Sequence, residues 1–200
     1  MIQRLREQGI RDERVLSAIA AVPRHVFVEE ALASRAYEDT ALPLGFSQTI
    51  SQPYIVARMI EVLRDGRELG KTLEVGAGCG YQAAVLAQLT SEVYAVERIE
   101  PLLAKAKLNL RAIQQFRVRL KYADGQLGLP EAAPFDTIIV AAAASCVPNA
   151  LLQQLALGGR MLLPLGTGEQ FLLLVERRPE GYVETRLDGV RFVPLLSGLE

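Results

Sequence analysis

The texture of the chain changes near residue 70. Before that point apolar residues recur at helical spacing in two places. Val15, Leu16 and Ile19 fall on one face of a helix that Asp12 can cap and Pro23 stops, because the residue before a proline avoids helical angles. Ile55, Val56, Met59, Ile60 and Leu63 repeat the pattern behind Pro53, which sits in the first turn where its missing N–H costs nothing, and Gly66 ends that helix. A helical turn fits residues 29–33, while 34–52 hold no sustained period and read as a long ordered loop. Beyond residue 70 short apolar runs alternate with helical stretches. Strands are expected over 72–75, 93–96, 118–122, 137–141, 160–164 and 171–176, with helices over 82–88, 101–113 and 148–155. Strands separated by helices imply right-handed crossovers and a mostly parallel sheet covered on both faces. The expected fold is therefore α/β, a doubly wound Rossmann-like sheet with a helical N-terminal extension. Its ligand belongs beyond the carboxyl ends of the first strands.

Composition narrows the function. Half the residues are hydrophobic and 22% are charged, which places the chain among globular proteins rather than disordered ones. At 200 residues it can bury roughly 70% of its unfolded surface, so one domain is expected, with 1–52 as extension and loop and 53–200 as the α/β core. A net charge of −1 offers no excess of cations for a phosphate backbone, so nucleic acid is not an expected partner. Cys79 and Cys146 are too few for a disulfide framework, and with the single His25 they make no metal-ligand spacing, which suits a reducing cytoplasm and a site without metal. The opening segment MIQRLREQGIRDER carries charges where a secretion signal needs its apolar core, and no run approaches a membrane span.

Three strand ends carry candidate chemistry. Val75-Gly76-Ala77-Gly78-Cys79-Gly80-Tyr81 closes the first of these strands, and its glycines permit a tight turn that a ligand can approach closely. The dinucleotide fingerprint needs a small residue where Tyr81 stands, so a nicotinamide cofactor fits poorly. Glu97, just after the next strand, sits where an acid accepts from both ribose hydroxyls. Asp124-Gly125 closes the third strand; it reads either as an acceptor for an adenine amino group or as a plain Asp-Gly turn. Together the three positions favour a nucleoside without a pyrophosphate.

These residues resemble the cofactor site of class I S-adenosylmethionine methyltransferases. Val22-Pro23-Arg24-His25-Val26-Phe27-Val28, Ala36-Tyr37-Glu38-Asp39, the stretch from Gly45 to Pro53 with Gln48-Thr49-Ile50-Ser51, Pro134-Phe135-Asp136 and the closing Val190-Arg191-Phe192-Val193-Pro194-Leu195 narrow the resemblance to the protein-L-isoaspartate O-methyltransferases, from end to end. Departures are Phe46-Ser47 where the family often shows small or polar residues, Tyr54 where many members carry histidine, and Tyr122-Ala123 where Gly-Asp-Gly is the commoner form. The resemblance implies S-adenosyl-L-methionine as cofactor, held by Thr49, Ile50, Glu74, Gly76, Ala77, Gly78, Gly80, Glu97, Asp124 and Gly125. It implies isoaspartyl proteins and peptides as substrates, met by Ser51, Phe192 and Val193, with Ser51 as the active-site residue in a cytoplasmic monomer.

On residue chemistry alone Ser51 reads first as a cap for the helix starting at Pro53, and the resemblance turns it into a donor that orients the substrate carboxylate. The segment 190–195 reads both as an extended peptide-pairing strand and as an edge strand blunted by Pro194. His25 and Cys79 read as structural. After the fourth strand Ala141-Ala142-Ala143-Ala144-Ser145 lacks the acceptors that base-amine methylation needs, which disfavours a nucleic-acid methyltransferase.

Overall fold

The strand Thr72–Val75 is buried at every position because both of its neighbours and both faces of its sheet are covered. In the computed structural model, which describes residues 1–200, it is the third strand in chain order, β3, and lies at the centre of a seven-stranded sheet. Val93–Glu97 (β4) and Val118–Tyr122 (β5) extend the sheet on one side. Phe135–Val140 (β6) and Leu155–Leu165 (β7) extend it on the other, all five being parallel. Gln170–Arg178 (β8) and Gly181–Val190 (β9) complete that side as antiparallel strands. The spatial order is β5-β4-β3-β6-β7-β8-β9. Six of the seven strands were expected. The seventh, β9, shows no alternation in sequence because it is an outer strand with almost every residue exposed.

Helices Tyr81–Leu89 (α4), Glu100–Ala112 (α5) and Asn149–Gln154 (α6) connect the parallel strands. The N-terminal part contributes Ile2–Glu7 (α1), Glu13–Ala21 (α2) and Pro53–Arg64 (α3). Leu5, Ile19, Phe27, Ile60, Leu86, Ile139 and Leu162 belong to one continuous apolar cluster, so these helices cover the sheet directly. The opposite face is filled by Leu73, Val75, Phe135, Leu151 and Leu163. No helix is long and apolar enough to cross a membrane.

Three expectations change. Helix α1 was not expected, since its six residues bury only Leu5. Residues 34–52 are not one loop: a 3-10 helix runs over Glu30–Arg35, and Leu42–Gly45 (β1) pairs antiparallel with Gln48–Ile50 (β2). Strands of four and three residues are too short to display a period. At their tip Phe46 and Ser47 both adopt positive φ, where asparagine and glycine are the usual sequence signal. Beyond Val190, which ends β9, the segment 191–195 is not an edge strand. It crosses the carboxyl end of the sheet, where Val193 O accepts from Ala143 N and Leu195 N donates to Ala143 O, both at 2.7 Å, while β9 and β5 form the edges.

Candidate active site

Gly76, Gly78 and Gly80 have φ of +88°, +53° and +88°, which side chains other than glycine adopt only with strain, so the turn from β3 into α4 depends on them. Four amides of this loop are spent internally. Gly76 N and Ala77 N both donate to Val96 O at 3.0 Å, Gly80 N to Ala77 O at 2.8 Å, and Gly78 N to Glu97 Oε2 at 2.8 Å. Only Cys79 N and the first amides of α4 remain for a ligand. The loop presents bare backbone, since a Cβ at Gly78 would meet only Leu44 Cδ1, at 3.6 Å. Gly80 faces elsewhere: a Cβ there would press on Ala106 of α5 at 3.3 Å, so this glycine serves helix packing instead of the cleft.

Glu97 is buried, and its carboxylate already accepts three N–H groups: Gly78 on Oε2, and Arg98 at 2.8 Å and Ile99 at 3.0 Å on Oε1. A carboxylate offers about four acceptor sites, which leaves one, on Oε2. The free site on Oε2 is open to a ribose hydroxyl, while Oε1 already carries two N–H groups. Asp124 Oδ1 accepts from Gln126 N at 2.8 Å and Oδ2 from Gly198 N at 2.6 Å, so the Asp-Gly turn exists and each oxygen keeps one free site. Gly125 is required by contact, because a Cβ there would fall 2.5 Å from Val75 Cγ1. Glu74 is fully buried. Its Oε1 accepts from Gln82 Nε2 at 3.0 Å and its Oε2 has no partner. Burial pushes this carboxyl well above its ordinary value; the Gln82 hydrogen bond opposes the shift and the Glu97 charge adds to it.

Opposite the glycine loop, β2 delivers Gln48, Thr49, Ile50 and Ser51 to the other wall of the same narrow cleft, which Val193 and Ala141 close. Ser51 does not cap α3. The cap position is Gln52, no side chain of the local sequence bonds there, and Asp39 Oδ1 accepts the Tyr54 N–H at 2.8 Å from outside. The half-buried Ser51 hydroxyl makes no hydrogen bond within the protein. Its carbonyl is held by Arg24, which is wholly buried, donates from Nη2 to Ser51 O and from Nε to Ala36 O, both at 2.7 Å, and lies 4.7 Å over the Tyr81 ring. Burial pushes the Tyr81 phenol up to about 12 against the pull of the Arg24 cation, and the Cys79 thiol, also buried, up to about 11. Both groups are neutral under ordinary conditions, and Cys79 is a small packed residue.

Thr49, Ile50, Ser51, Glu74, Gly76, Ala77, Gly78 and Val193 thus meet in one cleft. Glu97 joins through Gly78, and Asp124 and Gly125 stand at the adjoining strand end. Phe192 lines a second small recess beside Ser51. Sequence reading missed Arg24, Gln48 and Gln82. The signal for Arg24 was a lone cation inside the apolar run Ala21 to Val28.

The family profile of the protein-L-isoaspartate(D-aspartate) O-methyltransferases (PCMT) matches residues 1–200. The chain belongs to this family. It is 77% identical over 201 residues to the protein-L-isoaspartate O-methyltransferase of Dechloromonas aromatica strain RCB, covering all of this chain and 93% of that one. It is 66% identical to the corresponding protein of Azoarcus sp. strain BH72, with the same coverage. Among solved structures a protein-L-isoaspartate O-methyltransferase superposes with a TM-score of 0.89 at 28% identity, covering 99% of this chain and 65% of that longer one. A Plasmodium falciparum beta-aspartate methyltransferase (PCMT), crystallised with S-adenosyl-L-homocysteine, superposes with a TM-score of 0.82 at 25% identity over 98% of this chain and 96% of that one. As in that family, S-adenosyl-L-methionine is the methyl donor here. The site fits it: the unpartnered, enclosed Glu74 Oε2 suits a cationic ligand, the bare glycine loop permits close approach, and Glu97 and Asp124 retain free acceptor sites.

Proposed function

We propose that this chain methylates the free carboxylate of L-isoaspartyl residues in damaged proteins and peptides, starting repair through a succinimide, with Ser51 orienting that carboxylate. The reading rests on one observation above all: a hydroxyl without an internal partner lines the same cleft as the glycine loop. S-adenosyl-L-methionine, when bound, supplies an electrophilic methyl group together with its own leaving group.

The protein's share of the chemistry is positional. An α-carboxylate with a reference pKa near 3.5 is ionised at neutral pH, so the acceptor needs no base, and the one histidine is engaged with Tyr37, Nδ1 to Oη at 2.7 Å. Ser51 donates to one carboxylate oxygen, the loop held by Arg24 fixes where that donor stands, and Val193 and Phe192 exclude water on the substrate side. Alignment and exclusion of water of this kind can supply roughly 7–11 kcal/mol. Thr49, Ile50, Glu74, Gly76, Ala77, Gly78, Glu97, Asp124 and Gly125 hold the cofactor. We infer a monomer in a reducing cytoplasm acting on protein and not nucleic acid; the two unpaired cysteines and the net charge of −1 support this.

The test is labelled methyl transfer to two peptides that differ only in an isoaspartyl or an aspartyl linkage. Transfer to the first alone is expected, because the β-linkage moves the carboxylate by one methylene relative to the backbone. Equal rates would exclude the repair function.

A further inference from the structure

Beyond the Ser51 recess the surface opens into a groove of about 1310 Å³. The two are continuous: Gln52, Ile55, Arg191 and Phe192 line both. The far wall is built from the turn 166–170 and the end of β9. Part of the main chain of segment 191–195 is already bonded within the protein. Phe192 N donates to Gln170 Oε1 at 2.6 Å and Phe192 O accepts from Gln170 Nε2 at 3.1 Å, while Val193 O and Leu195 N are bonded to Ala143. Side chains on this wall are also placed to meet residues that flank the isoaspartyl group.

Two of those side chains are unpaired cations. Arg186 lies with its guanidinium 4.1 Å over the Phe171 ring and makes no hydrogen bond or ion pair, so stacking holds the plane in place and leaves its N–H edge open. Arg191 likewise has no partner. Asp188, two residues from Arg186, is already taken by Arg58 at 3.1 Å. Glu169 is the one acid on the groove wall. The wall therefore carries net positive charge although the whole chain does not.

We propose that Arg186 and Arg191 form an anion-reading subsite that favours isoaspartyl polypeptides with an acidic residue close to the damaged one. The proposal rests on the methyl-accepting role of the Ser51 recess. A planar guanidinium with a free edge suits a carboxylate in two-point contact, and the contact is made equally in ground and transition states, so it acts on KM and leaves kcat alone.

The experiment uses one isoaspartyl peptide core with Glu, Gln or Lys placed in turn at each neighbouring position on either side. Steady-state methylation is measured for the native chain and for Arg186→Glu, Arg191→Glu and Arg186→Lys, each checked for its thermal midpoint and normalised to its own rate on the Gln peptide. A KM for the best Glu peptide about three- to tenfold below that of its Gln counterpart is expected, shrinking as salt rises. Charge reversal should abolish or invert the preference, and Arg186→Lys should keep part of it. Equal KM values for Glu, Gln and Lys peptides on the native chain, or a preference untouched by both reversals, would overturn the subsite while leaving the isoaspartyl reaction standing. Failure of the native chain to methylate any peptide in the panel would overturn the reaction and the subsite with it.

Discussion

The Nη2 of Arg24 donates to the carbonyl oxygen of Ser51 across 27 positions of chain, at 2.7 Å. One buried cation thus ties the active-site loop to the 3-10 helix Arg24–Phe27, to Ala36 and to the start of α4. Arg24→Lys loses the rigid fork whose Nε and Nη2 each serve one carbonyl, and it should lower the thermal midpoint and the rate together, with a stability loss of up to about 3 kcal/mol for two charged hydrogen bonds. Denaturant unfolding and turnover on one preparation check this. A variant with native stability and rate would mean that the loop is held by other contacts.

Ser51→Ala isolates a hydroxyl that does nothing for the fold. Turnover should fall about 10- to 100-fold, equivalent to roughly 1.4–2.7 kcal/mol for one lost hydrogen bond in the transition state. Because Asp39 and not Ser51 serves the α3 N-terminus, the thermal midpoint should not move. Alkaline pH should restore nothing, since no proton is transferred. A variant with full activity per folded molecule ends the assignment.

Glu97 holds the protein, and under the proposed function it holds the ligand as well. Glu97→Ala strips the acceptor from the N–H groups of Gly78, Arg98 and Ile99, so a loss of stability of about 3 kcal/mol should accompany weaker cofactor binding. Glu97→Gln retains one oxygen and should separate the effects, weakening S-adenosyl-L-methionine by about 10- to 100-fold with a smaller shift in midpoint. Calorimetric titration of both variants, beside their melting curves, gives the answer; unchanged affinity would place the ribose elsewhere.

Glu74 should make both stability and affinity depend on pH, in opposite directions. Its carboxyl, raised by burial, holds a proton more tightly in the folded chain than in the unfolded one. Its favourable contribution is therefore complete below its ordinary value of 4.5 and is lost as pH rises through the raised folded value. Glu74→Gln should melt higher than the native chain above that window. Affinity for the cationic cofactor should rise with pH in the native chain, as the carboxylate forms, and lose that slope in the variant. Melting and titration series across pH check both signs, and parallel curves would contradict the role.

The parallel sheet was legible because its central strands are buried on both faces, so Thr72–Val75 and Phe135–Val140 stand out as apolar runs whatever surrounds them. The glycine loop, Glu97 and Asp124 were legible for a related reason: strand ends in a wound sheet converge, and their spacing along the chain records that convergence. Gly181–Val190 was hidden because an exposed outer strand has no apolar face to imprint on the sequence. The β1–β2 hairpin was hidden because its strands are short and its tip holds Phe46 and Ser47 at positive φ without the residues that announce such a turn. What sequence by itself determined was the sheet, its ligand edge and the family to which both belong. Only the tertiary structure decided that Ser51 does not cap α3 and that its hydroxyl faces the cleft, because Asp39 serves the helix N-terminus and Arg24 holds the Ser51 carbonyl, and contacts made across such chain distances leave no local pattern to read.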